Sequence, residues 1–331
     1  MIEFLIRRAI YAVFTIFTIS ILAFLVVQLP PGDFVSQYIL LVIGPDVANS
    51  EAAQNIAESL RAQYGLDQPV FIQYFKWLWL VLQGHFGISL EYKRPVMEIV
   101  REHMLLTTIL AFATVLLTWS LAVPIGIYSA VRQHSIGDYV ATFVGFFGLA
   151  VPDFLLALAL LWIGYFYFDM SVGGLFSAHY INAPWSMGRV VDLLSHMWIP
   201  AIVLGTSGTA GLIRIMRANL LDELRKPYVL TARAKGMSEI KLILKYPVRV
   251  ALNPVVSTVG YVLPFLLSGS VIVSVVLSLP TVGPLLLRAL RTEDMFMAST
   301  IVLLLGTLTV IGTFISDVLL VLLDPRIRLV K

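Results

Sequence analysis

Residues 295–323 read MFMASTIVLLLGTLTVIGTFISDVLLVLL, a run in which Asp317 is the only charged side chain. Crossing the hydrocarbon core of a bilayer, about 30 Å thick, takes about 20 consecutive apolar residues in a helix. The run is long enough to do so. It therefore predicts a membrane-spanning helix and an integral membrane protein.

The composition of the whole chain agrees with a membrane protein. Hydrophobic residues make up 59% of the 331 residues and charged residues only 13%, whereas a soluble domain carries roughly 25% charged residues. The chain has no cysteine, which excludes a disulfide framework, a thiol nucleophile, an iron–sulfur cluster and a thiolate zinc site. A net charge of +3 gives no indication of a nucleic-acid partner.

Six runs are long and apolar enough to span the membrane, which predicts six transmembrane helices. The fourth is short and rich in small residues, so we expect its helix to extend into the residues on either side of the run. The first follows Arg7 and Arg8, as in a signal peptide, but it is too long and lacks an A-x-A cleavage site, so we predict an uncleaved anchor. The six predicted spans are residues 9–29, 105–131, 139–168, 198–213, 255–279 and 295–323.

Positively charged residues predict the orientation of these spans, because Lys and Arg are enriched in cytoplasmic segments. With a cytoplasmic N-terminus, the segments on that side hold 15 Lys and Arg among 60 residues. The segments on the other side hold 8 among 120. Both termini are therefore predicted to be cytoplasmic.

The apolar run at residues 70–82 would invert every later loop if it were a seventh span. It covers only 13 residues and includes Gln73 and Lys76. We therefore predict an interfacial or domain-packing helix with its aromatic rings at headgroup depth.

The spans divide the chain into an anchor at residues 1–29, an extracytoplasmic lobe at 30–104 and a five-span core at 105–331. In the lobe, Ser50 is the predicted N-cap of a helix that begins at Glu51. Gly65 is predicted to end that helix after Tyr64.

A basic segment at residues 219–247 is predicted to form a helical hairpin outside the membrane. Its first helix runs from about Asn219 to Lys235, and Gly236 permits a sharp turn. Ser238 is then the predicted N-cap of a second short helix, which ends at Pro247. The basic residues alone are explained by membrane topology, since they keep the loop on the cytoplasmic side and contact anionic lipid there. The small residues at the bend favour a second role, as a surface that another protein approaches closely.

The hairpin contains the run PYVLTARAKGMSE at residues 227–239. This run resembles the cytoplasmic coupling motif (the EAA loop) of ABC importer permeases, in the form found in the dipeptide/oligopeptide permease family. Other runs resemble that family in the same order and at the same spacing. They are Gly84-x-x-Gly87-x-Ser89, GSVIV at residues 269–273, Pro280-x-x-Gly283, and the C-terminal signature Asp317, Asp324, Pro325 and Arg326.

The resemblance implies an all-α polytopic membrane protein with the type I ABC importer permease fold and an extracytoplasmic insertion after the first span. It implies a prokaryotic inner-membrane location. The residues it assigns to ATPase coupling are Tyr228, Thr231, Ala232, Arg233, Ala234, Lys235, Gly236, Met237 and Ser238.

The chain contains no G-x-x-x-x-G-K-[ST] run, so it has no P-loop to bind a nucleotide. We expect no cofactor or metal on this chain, and ATP to be used by partner subunits. By resemblance, the partners are one or two cytoplasmic ATPases, a second homologous permease and an extracytoplasmic solute-binding protein. The chain would form half of a pathway for peptides. Ser274 stands where the family commonly has Glu, so import of oligosaccharides or another small solute is the alternative.

Three polar residues in the predicted spans are candidates for the translocation path, namely Asp153, Ser270 and Ser274. A carboxylate inside a membrane faces protein or water, and a break at Pro152 would expose N–H groups to Asp153. The two serines share a helix face, which also fits helix packing.

Two other function classes remain as alternatives. The run GTSG at residues 205–208 matches the G-x-S-G of rhomboid-type intramembrane serine proteases, but no histidine follows Ser207 to act as a base. A passive channel would need neither an ATPase nor the cytoplasmic hairpin.

Overall fold

The computed structural model describes residues 2–28, 35, 36, 39, 50–168, 173–258 and 270–323. Within these residues the regular secondary structure is helical, and one isolated β-bridge joins Ile88 to Pro95. The helices are α1 (Ile2–Gln28), α2 (Glu51–Tyr64), α3 (Val70–Leu82), α4 (Val96–Val131), α5 (Ile136–Ala150), α6 (Asp153–Phe168), α7 (Met187–Leu224), α8 (Pro227–Ala234), α9 (Glu239–Lys245), α10 (Pro247–Ser257), α11 (Ser270–Val276), α12 (Val282–Arg291) and α13 (Met295–Leu323).

Four described helices are long and apolar enough to cross a membrane, namely α1, α4, α7 and α13. They correspond to the first, second, fourth and sixth predicted spans. The fourth takes length from its flanks as predicted, because α7 has 38 residues. The fifth predicted span includes residues 259–269, which lie outside the described residues, so the count of six stays a prediction.

The third predicted span is not one continuous helix. The chain bends by 101° between α5 and α6. Pro152 causes the break, because proline has no N–H and disfavours helical backbone in the residue before it. Val151 is accordingly extended, with φ −82° and ψ 122°. With α5 and α6 counted as one span, the described residues hold up to five.

The contacts divide the chain into two compact units. The core unit comprises Met1–Arg8, Leu106–Pro280 and Thr309–Lys331, and the lobe unit comprises Ala9–Leu105 and Thr281–Leu308. The lobe predicted at residues 30–104 falls in the lobe unit. The sequence-based division into anchor, lobe and core stays a prediction.

The core unit is organised around α7. One buried cluster joins α7 to α4, α6 and α11 and includes Leu110, Ala157, Val203 and Val273. A second cluster lies where α7 meets the hairpin helices. A long central helix thus has apolar packing at both of its ends.

The lobe unit confirms the predicted caps of α2. The Ala53 N–H donates to the Ser50 hydroxyl at 3.3 Å. Gly65 ends the helix in the left-handed region, with φ 69°. Both residues were predicted from residue type alone, because capping is local chemistry.

The aromatic helix α3 packs within the lobe unit and is too short to count as a span. The Tyr74 and Ser20 hydroxyls form a hydrogen bond of 2.9 Å. The Trp77 ring lies 5.7 Å from the Phe24 ring, centroid to centroid. One face of α3 is therefore buried against α1, as expected of a packing helix.

Candidate functional site

The hairpin at residues 219–247 consists of three helical pieces. The prediction of one helix from Asn219 to Lys235 is wrong, because α7 ends at Leu224 and α8 begins at Pro227. A helix does not continue through Pro227, which cannot donate a backbone hydrogen bond. Lys226 is extended, with φ −72° and ψ 147°, and proline suits the first position of the new helix.

The predicted turn at Gly236 is confirmed. Its φ is +78°, in the left-handed region that favours glycine, and its N–H donates to the Arg233 carbonyl at 3.0 Å. A Cβ built at Gly236 would meet no atom within 4 Å. The bend is therefore open to the outside of the chain.

Ser238 lies at the N-cap of α9, but its predicted capping hydrogen bond is absent. The turn is held instead by an ion pair on the surface, in which Arg233 Nη2 donates to Glu239 Oε2 at 3.1 Å. This hydrogen bond lowers the pKa of the Glu239 carboxyl below its ordinary value. Both side chains are exposed, so the pair shapes the turn more than it stabilises the fold.

The inner face of the hairpin is buried against the end of α7. Val229 from α8 and Leu242 from α9 are fully buried. They share one cluster with Met216 and Leu220 from α7. The Tyr228 hydroxyl also donates to Glu223 on α7, and partial desolvation of the hydroxyl together with this hydrogen bond raises the pKa of the tyrosine, although the residue as a whole is exposed. The hairpin is thus fastened to α7 by apolar packing and a polar contact.

The outer face of the hairpin is apolar, basic and exposed. Leu230 is 57% exposed, Ile240 75% and Leu244 57%. Lys235 and Lys241 are exposed on the same pair of helices. An apolar patch of this kind beside charged residues is typical of a protein–protein contact surface.

The structure brings the nine predicted coupling residues together on this hairpin. Ala232 and Met237 are partly buried and pack against the cluster that fastens it to α7. The Thr231 hydroxyl donates to the Pro227 carbonyl at 3.0 Å. The exposed members are Tyr228, Thr231, Arg233, Ala234, Lys235, Gly236 and Ser238.

No hydrogen bond joins Asp153 to Ser274 in the described part of the chain, where the Ser274 hydroxyl is buried without a hydrogen-bond partner. Asp153 is the first residue of α6, where a carboxylate is favoured by the helix dipole. The buried Ser207 hydroxyl makes no hydrogen bond to it in the structure. Ser274 is 1% exposed, which fits helix packing, and the Ser270 side chain lies outside the described residues.

The C-terminal signature is described only at its first member. Arg8 Nη1 lies 3.1 Å from Asp317 Oδ2, so Asp317 forms an ion pair with a base of α1. Asp324, Pro325 and Arg326 lie outside the described residues.

The geometry gives no support to the serine-protease alternative. His196 and Ser207 both lie on α7, eleven residues apart, which corresponds to about 16 Å along the helix. The His196 ring nitrogen Nδ1 lies 2.8 Å from the Asp192 carbonyl oxygen of its own helix. The histidine that precedes Ser207 most closely is therefore out of reach of its hydroxyl.

The sequence patterns did not predict an ion pair beside the hairpin, in which a buried carboxylate meets a partly exposed guanidinium. Arg217 on α7 donates through Nε and Nη2 to the two carboxylate oxygens of Asp138 on α5, both at 2.9 Å. The partners are 79 residues apart and lie in two different predicted cytoplasmic segments. No local pattern in the sequence connects them.

Comparison with known proteins identifies related chains along nearly the full length. Residues 122–329 match the family described as "Binding-protein-dependent transport system inner membrane component". Residues 1–111 match its N-terminal companion, described as "Binding-prot-dependent transport system membrane comp, N-term".

Three relatives illustrate the similarity. The chain is 33% identical over 330 residues to the oligopeptide transport system permease protein AppB of Bacillus subtilis, covering 99% of this chain and 100% of the relative. It is 30% identical over 345 residues to the dipeptide transport system permease protein DppB of Escherichia coli K12, covering 99% of each. It is 30% identical over 328 residues to the glutathione transport system permease protein GsiC of Escherichia coli K12, again covering 99% of each.

Proposed function

The chain belongs to the family of inner-membrane components of binding-protein-dependent transport systems, and on that premise we propose that it forms half of an ATP-driven import pathway for peptides. It is a multi-pass membrane permease subunit and not an enzyme. Relatives named as oligopeptide and dipeptide permeases support the choice of peptides.

The outer face of the hairpin is the docking site for a cytoplasmic ATPase in this proposal. The difference in burial between the two faces of the hairpin supports this docking site. Val229 and Leu242 are buried on the inner face, while Leu230, Ile240 and Leu244 are exposed on the outer face. Because the chain has no P-loop of its own, the energy for uphill transport comes from that partner.

Movement of the hairpin drives the change between inward and outward access. The hairpin is fastened to α7, whose 38 residues extend over about 57 Å. ATP binding brings the ATPases together, and α7 carries the displacement from the hairpin into the membrane as a rigid element.

The remaining partners are a second homologous permease, which supplies the other half of the pathway, and an extracytoplasmic binding protein, which delivers the solute. A single bundle of the six predicted spans seldom encloses a peptide-sized cavity, which supports the second permease. The asymmetry of Lys and Arg supports cytoplasmic termini and a cytoplasmic hairpin. ATP is consumed by the partner subunits.

Oligosaccharide import with the same architecture is the alternative. Ser274 supports it, because the carboxylate common at that position in peptide permeases is missing. Ligand screening of the cognate binding protein decides between the two. Binding of peptides and no binding of oligosaccharides is the result expected from the main proposal.

Substitution of Gly236 tests the coupling role. A Trp at a φ of +78° is strained by about 1–2 kcal/mol and places a large ring on the open side of the bend. We expect Gly236→Trp to insert normally and to hydrolyse ATP without transport, measured in proteoliposomes containing the complete importer.

Two controls separate the causes of that loss. Gly236→Asn tolerates the left-handed backbone and adds little bulk, so it should retain most of the uptake. Gly65→Trp places the same ring at a φ of +69° in the lobe unit, where nothing lies within 4 Å either, and should preserve coupling. Normal uptake by Gly236→Trp would refute the coupling role.

A further inference from the structure

The ion pair between Asp138 and Arg217 fixes the base of α5 to α7. The two hydrogen bonds of 2.9 Å use both carboxylate oxygens, and Asp138 is only 2% exposed. A two-point contact between a planar guanidinium and a carboxylate sets the orientation of the partners as well as their separation. It therefore restrains the relative orientation of the two helices at this point.

The turn between α4 and α5 is built around the same carboxylate. The His134 N–H donates to Asp138 Oδ2 at 3.0 Å, from a residue with a φ of +63°. A Cβ at Gly137 would lie 2.5 Å from the Tyr128 hydroxyl, so the turn also lies directly against α4. Asp138 thus connects the α4–α5 turn, α5 and α7.

On the hairpin side, α7 leads directly from Arg217 to the candidate coupling surface. Leu220 shares the buried cluster that includes Val229 of the hairpin. Glu223, the penultimate residue of α7, accepts the hydrogen bond from Tyr228. The ion pair therefore lies within two helical turns of the point where the hairpin is fastened.

On the membrane side, α5 stays against α7 up to the bend. A Cβ at Gly148 would lie 2.9 Å from Thr206 Cγ2, so the two backbones approach closely there. Asp138 and Gly148 are about 15 Å apart along α5, and Thr206 and Arg217 are about 16 Å apart along α7. The helix α5 is thus held to α7 near both ends, and it leads into the 101° bend.

We propose that Asp138 and Arg217 are positioning residues, the joint through which displacement of the hairpin reaches α5 and the bend at Pro152. The proposal rests on the proposed function, since it requires a hairpin that moves. With the joint intact, the hairpin, α7 and α5 move as one body. When the ion pair is broken, the ATPases still hydrolyse ATP, but α5 no longer moves with the hairpin and α7.

The first test measures solute transported per ATP in proteoliposomes containing the complete importer. Arg217→Lys keeps the charge but loses the two-point geometry, and Asp138→Asn removes the charge. We expect both variants to retain ATP hydrolysis and to transport roughly tenfold less solute per ATP, within the usual range of coupling between sites.

The matched control is Arg214→Lys, one turn earlier on α7. Arg214 is exposed and lies 5.1 Å from the centre of the Phe146 ring, a contact that lysine can retain. The control should transport as the wild type does. An unchanged ratio of solute to ATP in both joint variants would overturn the proposal.

A second test uses the wild-type joint and does not depend on whether the variants fold. The chain has no cysteine, so spin labels can be placed on introduced cysteines at Phe143 on α5, Lys245 on the hairpin and Glu58 in the lobe unit. We expect ATP binding to change the Lys245–Glu58 distance and to leave the Lys245–Phe143 distance unchanged. A change in both distances would overturn the proposed role of the Asp138–Arg217 pair but not the moving hairpin. No change in the first distance contradicts the moving hairpin and hence the proposed function.

Discussion

Asp294 illustrates how one buried carboxylate organises the lobe unit. It precedes α13, is completely buried, and accepts hydrogen bonds from the Ser89 hydroxyl, the Met297 N–H at 3.1 Å and the Glu91 N–H at 3.3 Å. Burial raises the pKa of this carboxyl above its ordinary value, and the hydrogen bonds offset part of that rise. The residue therefore connects the loop at residues 89–91 to the start of α13.

This raised pKa predicts a pH-dependent stability. The folded lobe binds the Asp294 proton more tightly than the unfolded chain does, so the stabilisation is complete below the unfolded pKa and is lost as the pH rises through the folded pKa. We predict that the wild type gains thermal stability relative to Asp294→Asn as the pH falls from about 7 to about 4.

Thermal unfolding in detergent measures this difference. Glu58→Gln serves as the control, because Glu58 is an exposed residue of α2 in the same unit. Its difference from the wild type should not follow the same pH dependence. A pH-independent difference between the wild type and Asp294→Asn would contradict the assignment.

At the scale of helices, α3 has two faces of different character. Tyr74 and Trp77 are buried against α1, whereas Phe71, Phe75 and Trp79 are each more than 60% exposed. The exposed three recur every four residues and so share one face of the helix. Tryptophan is enriched at the membrane–water interface, so Trp79 on this exposed face supports the predicted headgroup depth.

Spin-label accessibility tests the placement of α3. A label at Phe75→Cys should be accessible to oxygen, which concentrates in lipid, and protected from a water-soluble nickel complex. The control label at Glu58→Cys on α2 should show the opposite pattern. Access of the nickel complex to Phe75→Cys would place α3 in water, and protection from both reagents would place it under another protein.

Helix ends were predictable where local chemistry decides them. Ser50, Gly65 and Gly236 each occupy the predicted place because capping and left-handed turns depend on residue type. The break before Pro227 was missed because the apolar pattern of α7 reaches Leu224 and suggests one continuous helix. The 101° angle at Pro152 was not predictable, because a proline indicates a break and packing sets its direction.

The candidate site was predictable in part. The hairpin and its exposed bend follow from residues 227–239, whose motif is continuous in sequence. The division into a buried inner face and an exposed outer face requires the end of α7 to be in place, and the Asp138–Arg217 pair joins two distant segments. Contacts between residues so far apart in the sequence leave no local pattern that would predict them.

At the scale of the whole molecule, composition indicates the class of protein and charge predicts its orientation. The surplus of apolar residues indicates a membrane protein, and the sequence contains no P-loop motif. The basic segments predict which side the hairpin occupies. In the proposed function, the chain is a pathway subunit that depends on a cytoplasmic energy source, and the hairpin is the surface through which that energy enters.

The most direct measurement labels Ile240→Cys with a bulky, membrane-impermeant maleimide and follows ATP-driven uptake by the complete importer. Ile240 is the most exposed apolar residue of the hairpin, and the chain has no other cysteine. The account predicts reaction from the cytoplasmic face only, with loss of uptake in proportion to labelling. Reaction from the outer face alone, or full uptake by the completely labelled protein, would contradict it.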